Sequence, residues 1–190
     1  AIDHTDRSVL ILDSQRRIVH ANQAFLDLTG FERDEAFGQD PVSLLRCQSF
    51  FDGLAQPVRW GQDSIEIDVP ISRKDGAQRW LRVSSVPFVS PHNDWLKGYS
   101  VDICYDITEN RQIRTFERDV LMALNSRLPF RQLGDYICER VREIAPDVLP
   151  SILRVDENGC LRPWAVSYLP EAYNSLVNGL RVGEGVGSCG

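Results

Sequence analysis

Thiols, imidazoles and guanidiniums are the side chains in this sequence with chemistry to offer. Cys189 lies in the run "GVGSCG", a glycine-rich loop able to expose a thiol. A reactive thiol needs its pKa lowered by a cation or a helix end, and no histidine lies near Cys189 in the sequence, so loop structure is the plainer reading. Cys47, in "GQDPVSLLRCQSFF", reads as a buried thiol acting as a small hydrophobe. The five cysteines (Cys47, Cys104, Cys138, Cys160 and Cys189) are odd in number, scattered and without a CxxC pair, which argues against a disulfide framework or a structural zinc site. Of the three histidines, His4 precedes the first expected strand, His92 lies in a loop, and His20 falls on a strand where a hydrogen-bonded structural role fits best. Arg111, Arg114 and Arg118 recur about one helical turn apart and could suggest anion binding, but Glu109, Glu117 and Asp119 alternate with them. A solvated, salt-bridge-laced face is the ordinary account of such a run. No catalytic residue and no metal site is expected.

Composition narrows the function classes. At 190 residues the chain fits one large domain or two small ones. With 43% hydrophobic and 25% charged residues it has an ordinary globular composition. A net charge of -6 gives no basic stripe for nucleic acid. No apolar run approaches the roughly 20 residues that span a bilayer and nothing resembles a signal peptide, so a cytoplasmic location is the default expectation.

Hydrophobic periodicity supplies the elements that must position these groups. Val9 to Leu12 and Ile18-Val19 flank Asp13-Ser14-Gln15, the pattern of a hairpin. Asn22 is placed to cap a short helix that Gly30 ends, and Glu32 to Phe37 forms another, stopped at Gly38. Signals from Ser43 to Gln62 are mixed, with Pro57 and Gly61 breaking whatever helix Leu44 to Leu54 begins. Ile65, Ile67, Val69 and Ile71 alternate strictly, Lys74-Asp75-Gly76 turns, and Leu81 and Val83 continue, giving a second hairpin. Tyr99, Val101, Ile103, Tyr105 and Ile107 share one face of a fifth strand, with Asp102, Cys104 and Asp106 on the other. Five strands with short helices between the second and third make an α+β domain.

The stretch "DITENRQIR" then converts strand to helix. Thr108 stands where an N-cap should, its hydroxyl able to accept from the first-turn N–H groups, and Glu109 suits the positive helix end. Ile113, Phe116, Val120 and Ala123 form one apolar stripe, and Leu121, Leu124 and Leu128 a second. Such a helix has two surfaces to bury, though Arg127 shortens the seam to about two heptads, below what secures a coiled coil. Beyond Pro129, a helix from Leu133 to Ile144, a hairpin over 151–169 and a helix over 171–180 are expected. One hairpin is too little to close a stable sheet, which suggests that the sequence stops inside its second domain.

Residues 8–114 resemble a PAS domain, a sensory module of bacterial signalling proteins. The likeness is carried by "IVHANQAFLDLTGFERDEAFG", "ISRKDGAQRWLRVSSVPF" and "DITENRQIR". Residues from about 130, above all "LPEAYNSLVNGLRVGEGVGSCG", resemble the first half of a GAF domain, another sensory module. The order is similar to the second PAS and following segment of haem-containing oxygen-sensor phosphodiesterases that act on cyclic di-GMP. The resemblance implies a PAS domain at 1–108 with a five-stranded antiparallel sheet and short helices on one face. A connecting helix at 109–128 and the N-terminal part of a GAF domain at 129–190 follow. It implies that Asp106, Ile107 and Thr108 form a signal junction between strand and helix. Ile113, Phe116, Val120, Leu121 and Leu124 are then expected to pack that helix in a homodimer formed through it and the PAS domain.

The cofactor stays unknown on this reading. Haem is disfavoured, because the helix before the third strand, where haem-binding PAS domains carry the axial histidine, has none in Ser43 to Gln62. A covalent flavin is disfavoured too: it needs an Asn-Cys-Arg context soon after Gly38, and Cys47 comes too late with the wrong neighbours. A non-covalent flavin or a small apolar ligand in the PAS cavity stays open. Some GAF-type proteins use a cysteine near the Cys189 loop to reduce methionine sulfoxide or to attach a bilin, an alternative a complete domain would have to show. The expected function is sensory relay to an output domain for cyclic di-GMP synthesis or hydrolysis (GGDEF or EAL), with no enzyme activity in this stretch. The alternatives are a ligand-free PAS dimerisation scaffold and the sensor region of a histidine kinase.

Overall fold

The computed structural model describes residues 7–48, 64–88, 96–126 and 128–183 of the 190. Contacts divide the chain into two units, 1–111 and 112–190. The expectations for His4, His92, Cys189, Arg127, and the stretch with Pro57 and Gly61, lie outside the described residues.

The first unit is built on one antiparallel sheet in the order β2-β1-β5-β4-β3. Its strands are β1 (Ser8–Leu12), β2 (Ile18–Ala21), β3 (Ile65–Ser72), β4 (Gln78–Pro87) and β5 (Ser100–Asp106). Both expected hairpins form: Leu10 faces Ala21 across β1 and β2, and Val69 faces Leu81 across β3 and β4. β5 then runs between β1 and β4, with Val9 opposite Ile103 and Val83 opposite Cys104. This long-range pairing joins the two hairpins into one sheet.

Three short helices connect β2 to β3: α1 (Gln23–Thr29), α2 (Arg33–Ala36) and α3 (Pro41–Leu44). Asn22 caps α1 as its residue type suggests, accepting from Phe25 N–H at 3.1 Å, and the same oxygen accepts from Val9 N–H at 2.9 Å. One buried amide thus ties helix start to strand. Gly30 ends α1 at φ +79°, a left-handed conformation costly for a residue with a Cβ. Glu32 and Glu35 supply a capping box for α2, and Asp40 caps α3 through Ser43 N–H at 3.0 Å. α3 therefore begins at Pro41 rather than at Leu44, since a proline at the first helical position with a carboxylate before it is a start signal.

The helices cover one sheet face, and the core between them holds Phe25, Leu12, Ile18, Ile71 and Leu81, each almost fully enclosed. Burial of each such side chain is worth roughly 1.5–3 kcal/mol. The inward face of β5 is the polar one: Ser100, Asp102 and Cys104 are buried while Val101 and Ile103 are half-buried on the outer face. The alternation is as expected; hydrophobicity alone would turn it the other way.

The helix α4 (Thr108–Asn125) leaves β5 and passes from the first unit into the second. The second unit continues with α5 (Phe130–Ile144), β6 (Ile152–Val155), β7 (Leu161–Ala165) and α6 (Glu171–Val177), with β6 and β7 paired antiparallel. Gly134 makes the helix-on-hairpin packing close: a Cβ there would sit 2.8 Å from that of Ala165. Phe130 stacks on Trp164 with ring centroids 4.2 Å apart, and the Trp164 indole donates to Phe130 O at 3.1 Å. No helix among the described residues is long and apolar enough to cross a membrane.

Candidate functional site

The end of β5 is where strand becomes helix, and its hydrogen bonds leave no break. Asp106 still pairs with Leu81 in the ladder. One step on, Ile107 N–H donates to Trp80 O at 2.8 Å, so the sheet pattern outlasts the strand. Thr108 Oγ1 then accepts from Trp80 N–H at 2.9 Å, a side chain standing in for the next carbonyl. Thr108 N–H donates to the Asp106 carboxylate at 2.8 Å, and Arg111 N–H to Ile107 O at 2.9 Å closes the first helical turn.

The expected roles of Asp106 and Thr108 are thereby redistributed. The hydroxyl of Thr108 bonds to the neighbouring strand rather than to its own helix, and Asp106 supplies the side-chain acceptor for the helix start. Asp106 and Thr108, of which only Thr108 was expected to cap, together link β4, β5 and α4. The second carboxylate oxygen of Asp106 lies 3.7 Å from Arg79 Nε.

Arg111 keeps the solvated, ion-paired character expected of its face but adds a contact to the sheet: its guanidinium lies 3.8 Å from the centre of the Trp80 ring. One of its terminal nitrogens is 3.6 Å from Asp68 on β3. Asp68 also accepts both arms of Arg82, at 2.7 and 3.1 Å, and that bond pushes the Arg82 pKa up. A guanidinium can do both jobs because it is a flat cation, able to stack on indole and to fork toward a carboxylate. Arg111 therefore clamps the first turn of α4 to β3 and β4. No sequence pattern on the helix announced this, since the partners Trp80 and Asp68 lie 31 and 43 positions upstream.

Farther along α4 the stripes diverge. Phe116 and Val120 are half-buried and Ala123 is buried, whereas Ile113, Leu121 and Leu124 are 45%, 59% and 56% exposed. Within the second unit Asp119 pairs with Arg140 of α5 at 2.9 Å.

The interior of the first unit holds a cluster that sequence reasoning missed. Asp102 is 2% exposed and accepts from Ser85 Oγ at 2.5 Å and Ser100 Oγ at 3.0 Å. Arg16 reaches it at 3.2 Å from the β1–β2 turn, where it sits at φ +64°, and also donates to Ser100 Oγ at 3.0 Å. A buried carboxylate is tolerable only when so satisfied. The available clue was the polar spacing of Ser100, Asp102 and Cys104 on a strand whose other face is aliphatic.

Arg16 and Asp102 line one end of a cavity of about 40 Å³, otherwise walled by Leu45, Cys47, Ile71 and Cys104 among others. Burial pushes the Cys47 thiol up to about 11 and that of Cys104 higher still, so neither is a ready thiolate. None of the described lining residues is a histidine, and His20 sits on β2 opposite Ile11. The described lining thus offers no histidine as an axial haem ligand.

With a sheet of this order, helices on one face and an aspartate–threonine exit into a helix, the comparison with known families becomes decisive. The PAS domain family model matches residues 6–109. The chain belongs to the PAS family. The chain is also 33% identical over 172 residues to the oxygen sensor protein DosP of Escherichia coli strain K12; the match covers 88% of this chain and 21% of that protein. It thus spans about a fifth of that relative's length. Among solved structures it is similar to the Rhodobacter sphaeroides LOV protein, at 12% identity and TM-score 0.47 over 76% of this chain and 88% of that one. A domain of a sensory box sensor histidine kinase/response regulator from Geobacter sulfurreducens gives 21% identity and TM-score 0.45, over 55% and 86%. The assignment rests on the family match and on the sheet, and it makes the first unit a PAS sensory domain.

Proposed function

We propose that this PAS domain relays a change in its sheet through Asp106, Ile107 and Thr108 into α4, and onward to an output domain that makes or destroys cyclic di-GMP. The single observation that carries the reading is the bond from Trp80 N–H to the Thr108 hydroxyl at 2.9 Å. Because of it, β4 cannot shift at Trp80 without moving or releasing the helix start. The element is two-state in character: bond made and first turn held, or bond broken and first turn free, with a stimulus biasing the balance.

On this reading the PAS domain runs over 1–108, the relaying helix over 109–128, and 129–190 forms the N-terminal part of a GAF domain. The match to DosP supports continuity, since a stretch covering 88% of the chain extends well past residue 109. The output reading rests on the resemblance of these residues to sensor phosphodiesterases of cyclic di-GMP and is tested on the full-length protein. Exchanging Asp106 for asparagine and Thr108 for alanine should uncouple cyclic di-GMP turnover from stimulus. Output unchanged under every stimulus would reject the relay.

A second reading, a ligand-free dimerisation scaffold, is favoured by the exposed Leu121 and Leu124 on α4 and by the small cavity. Absorbance of the purified protein separates the two: a Soret or flavin band supports sensing, and a colourless dimer supports the scaffold.

A further inference from the structure

Near the exit of β5 the first unit carries a second, larger hollow, a cleft of about 590 Å³ outside the core. Three arginines from separate segments line it: Arg7 ahead of β1, Arg73 at the end of β3 and Arg79 at the start of β4. In a chain of net charge -6 such convergence runs against the average. Asp27 and Asp106 share the wall, and Leu28 and Tyr105 give it an apolar side.

Two of the guanidiniums are loosely held. Arg73 donates one long hydrogen bond, from Nη2 to Asp27 O at 3.4 Å, while its Nε, 3.8 Å from an Asp75 oxygen, makes none. Arg79 donates from Nη1 to Gln78 O at 3.3 Å, and its Nε is 3.7 Å from Asp106, whose other oxygen serves Thr108 N–H. Elsewhere in the same unit Arg16 and Arg82 reach their carboxylates at 3.2 and 2.7 Å. Guanidiniums held this loosely keep terminal N–H groups to offer an incoming oxyanion.

We infer that this cleft binds a small phosphate monoester, its phosphate between Arg73 and Arg79 and its organic body against Leu28 and Tyr105. A phosphate monoester carries about 1.5 to 2 negative charges at neutral pH and three acceptor oxygens, enough to engage two forked guanidiniums, where one carboxylate would satisfy only one. The volume lies within the roughly 300–1,000 Å³ usual for small-molecule sites. An oxyanion there competes with Asp106 for Arg79 and so bears on the helix start, a consequence that rests on the relay reading above.

The test is calorimetric titration of the 190-residue chain with phenyl phosphate, with inorganic phosphate and benzoate alongside. Saturable binding of phenyl phosphate is expected, weakened about tenfold in Arg73→Gln and in Arg79→Gln, the loss of one charge-assisted bond. Arg73→Lys, which keeps the charge and loses the fork, should fall between. No saturation up to about 10 mM, near the weakest affinities of interest, or an affinity in both glutamine variants unchanged from the parent's, overturns the site. Amide exchange at Thr108 is read in the same samples. Binding without any change there supports the site and counts against the relay, whereas absent binding leaves the relay untouched.

Discussion

Arg111, in the first turn of α4, sits over Trp80 of β4, its guanidinium carbon 3.8 Å from the ring centre. The same residue reaches Asp68, so the helix start is held by a stack and an ion pair on two different strands. Partly exposed contacts of this kind contribute roughly 0.5–1 kcal/mol. Arg111→Gln and Trp80→Leu should each lower the urea midpoint, and the double variant should lose less than the sum, with a coupling of about 0.5 kcal/mol or more. Strict additivity would show that the stack does not hold the helix.

The Asp102 cluster should behave as a buried ion pair. Asp102→Ala strands Arg16, Ser85 and Ser100 around a missing acceptor and is expected to cost about 3–5 kcal/mol in urea unfolding. Asp102→Asn, which keeps the shape and one acceptor oxygen, should cost less than Asp102→Ala. Equal losses would mean that side-chain volume, and not the acceptor, matters there.

Stability should fall on the alkaline side. Burial raises the Cys47 thiol to about 11, whereas an unfolded cysteine ionises near 8.5. The sign follows from which state releases its proton first. Below pH ~8.5 both forms are protonated and the contribution is whole; above it the unfolded chain ionises first and stability drains until pH reaches about 11. Urea midpoints measured from pH 8 to 11 should decline, and Cys47→Ala should decline less steeply. A Cys47→Ala profile parallel to the parent's would contradict the assignment.

The stripe left uncovered on α4 predicts self-association through that helix. Leu121→Glu with Leu124→Glu should shift sedimentation toward the monomer without changing the circular dichroism of the chain, since both side chains are more than half exposed. An unchanged oligomeric state would rule out self-association through this helix.

Much of the fold was legible because local chemistry and long-range packing agree in it. Asn22 with Gly30 and the alternation from Ile65 to Ile71 each encode an element within a few residues, and each appears where the pattern put it. The site was legible only in part. Thr108 was found because a cap residue stands out between a strand and a helix, and Asp106 through the family resemblance, yet what Thr108 bonds to depends on Trp80, 28 positions away. Arg111 was missed for the same reason: on its own helix it looks solvated, and its ring and carboxylate partners belong to the sheet. Asp102 was missed because strand alternation gives two faces without saying which one the core takes. Here Arg16 and two serines make the polar face the buried one.

Residue-resolved amide exchange in Thr108→Val tests the central claim most directly. Valine keeps the shape of threonine and removes the acceptor of Trp80 N–H. Losing about 1.4 kcal/mol there should speed exchange roughly tenfold at Trp80 and, together with it, at Arg111 and the following turns of α4. Faster exchange at Trp80 alone, with α4 protected as before, would contradict a sheet-to-helix relay through this junction.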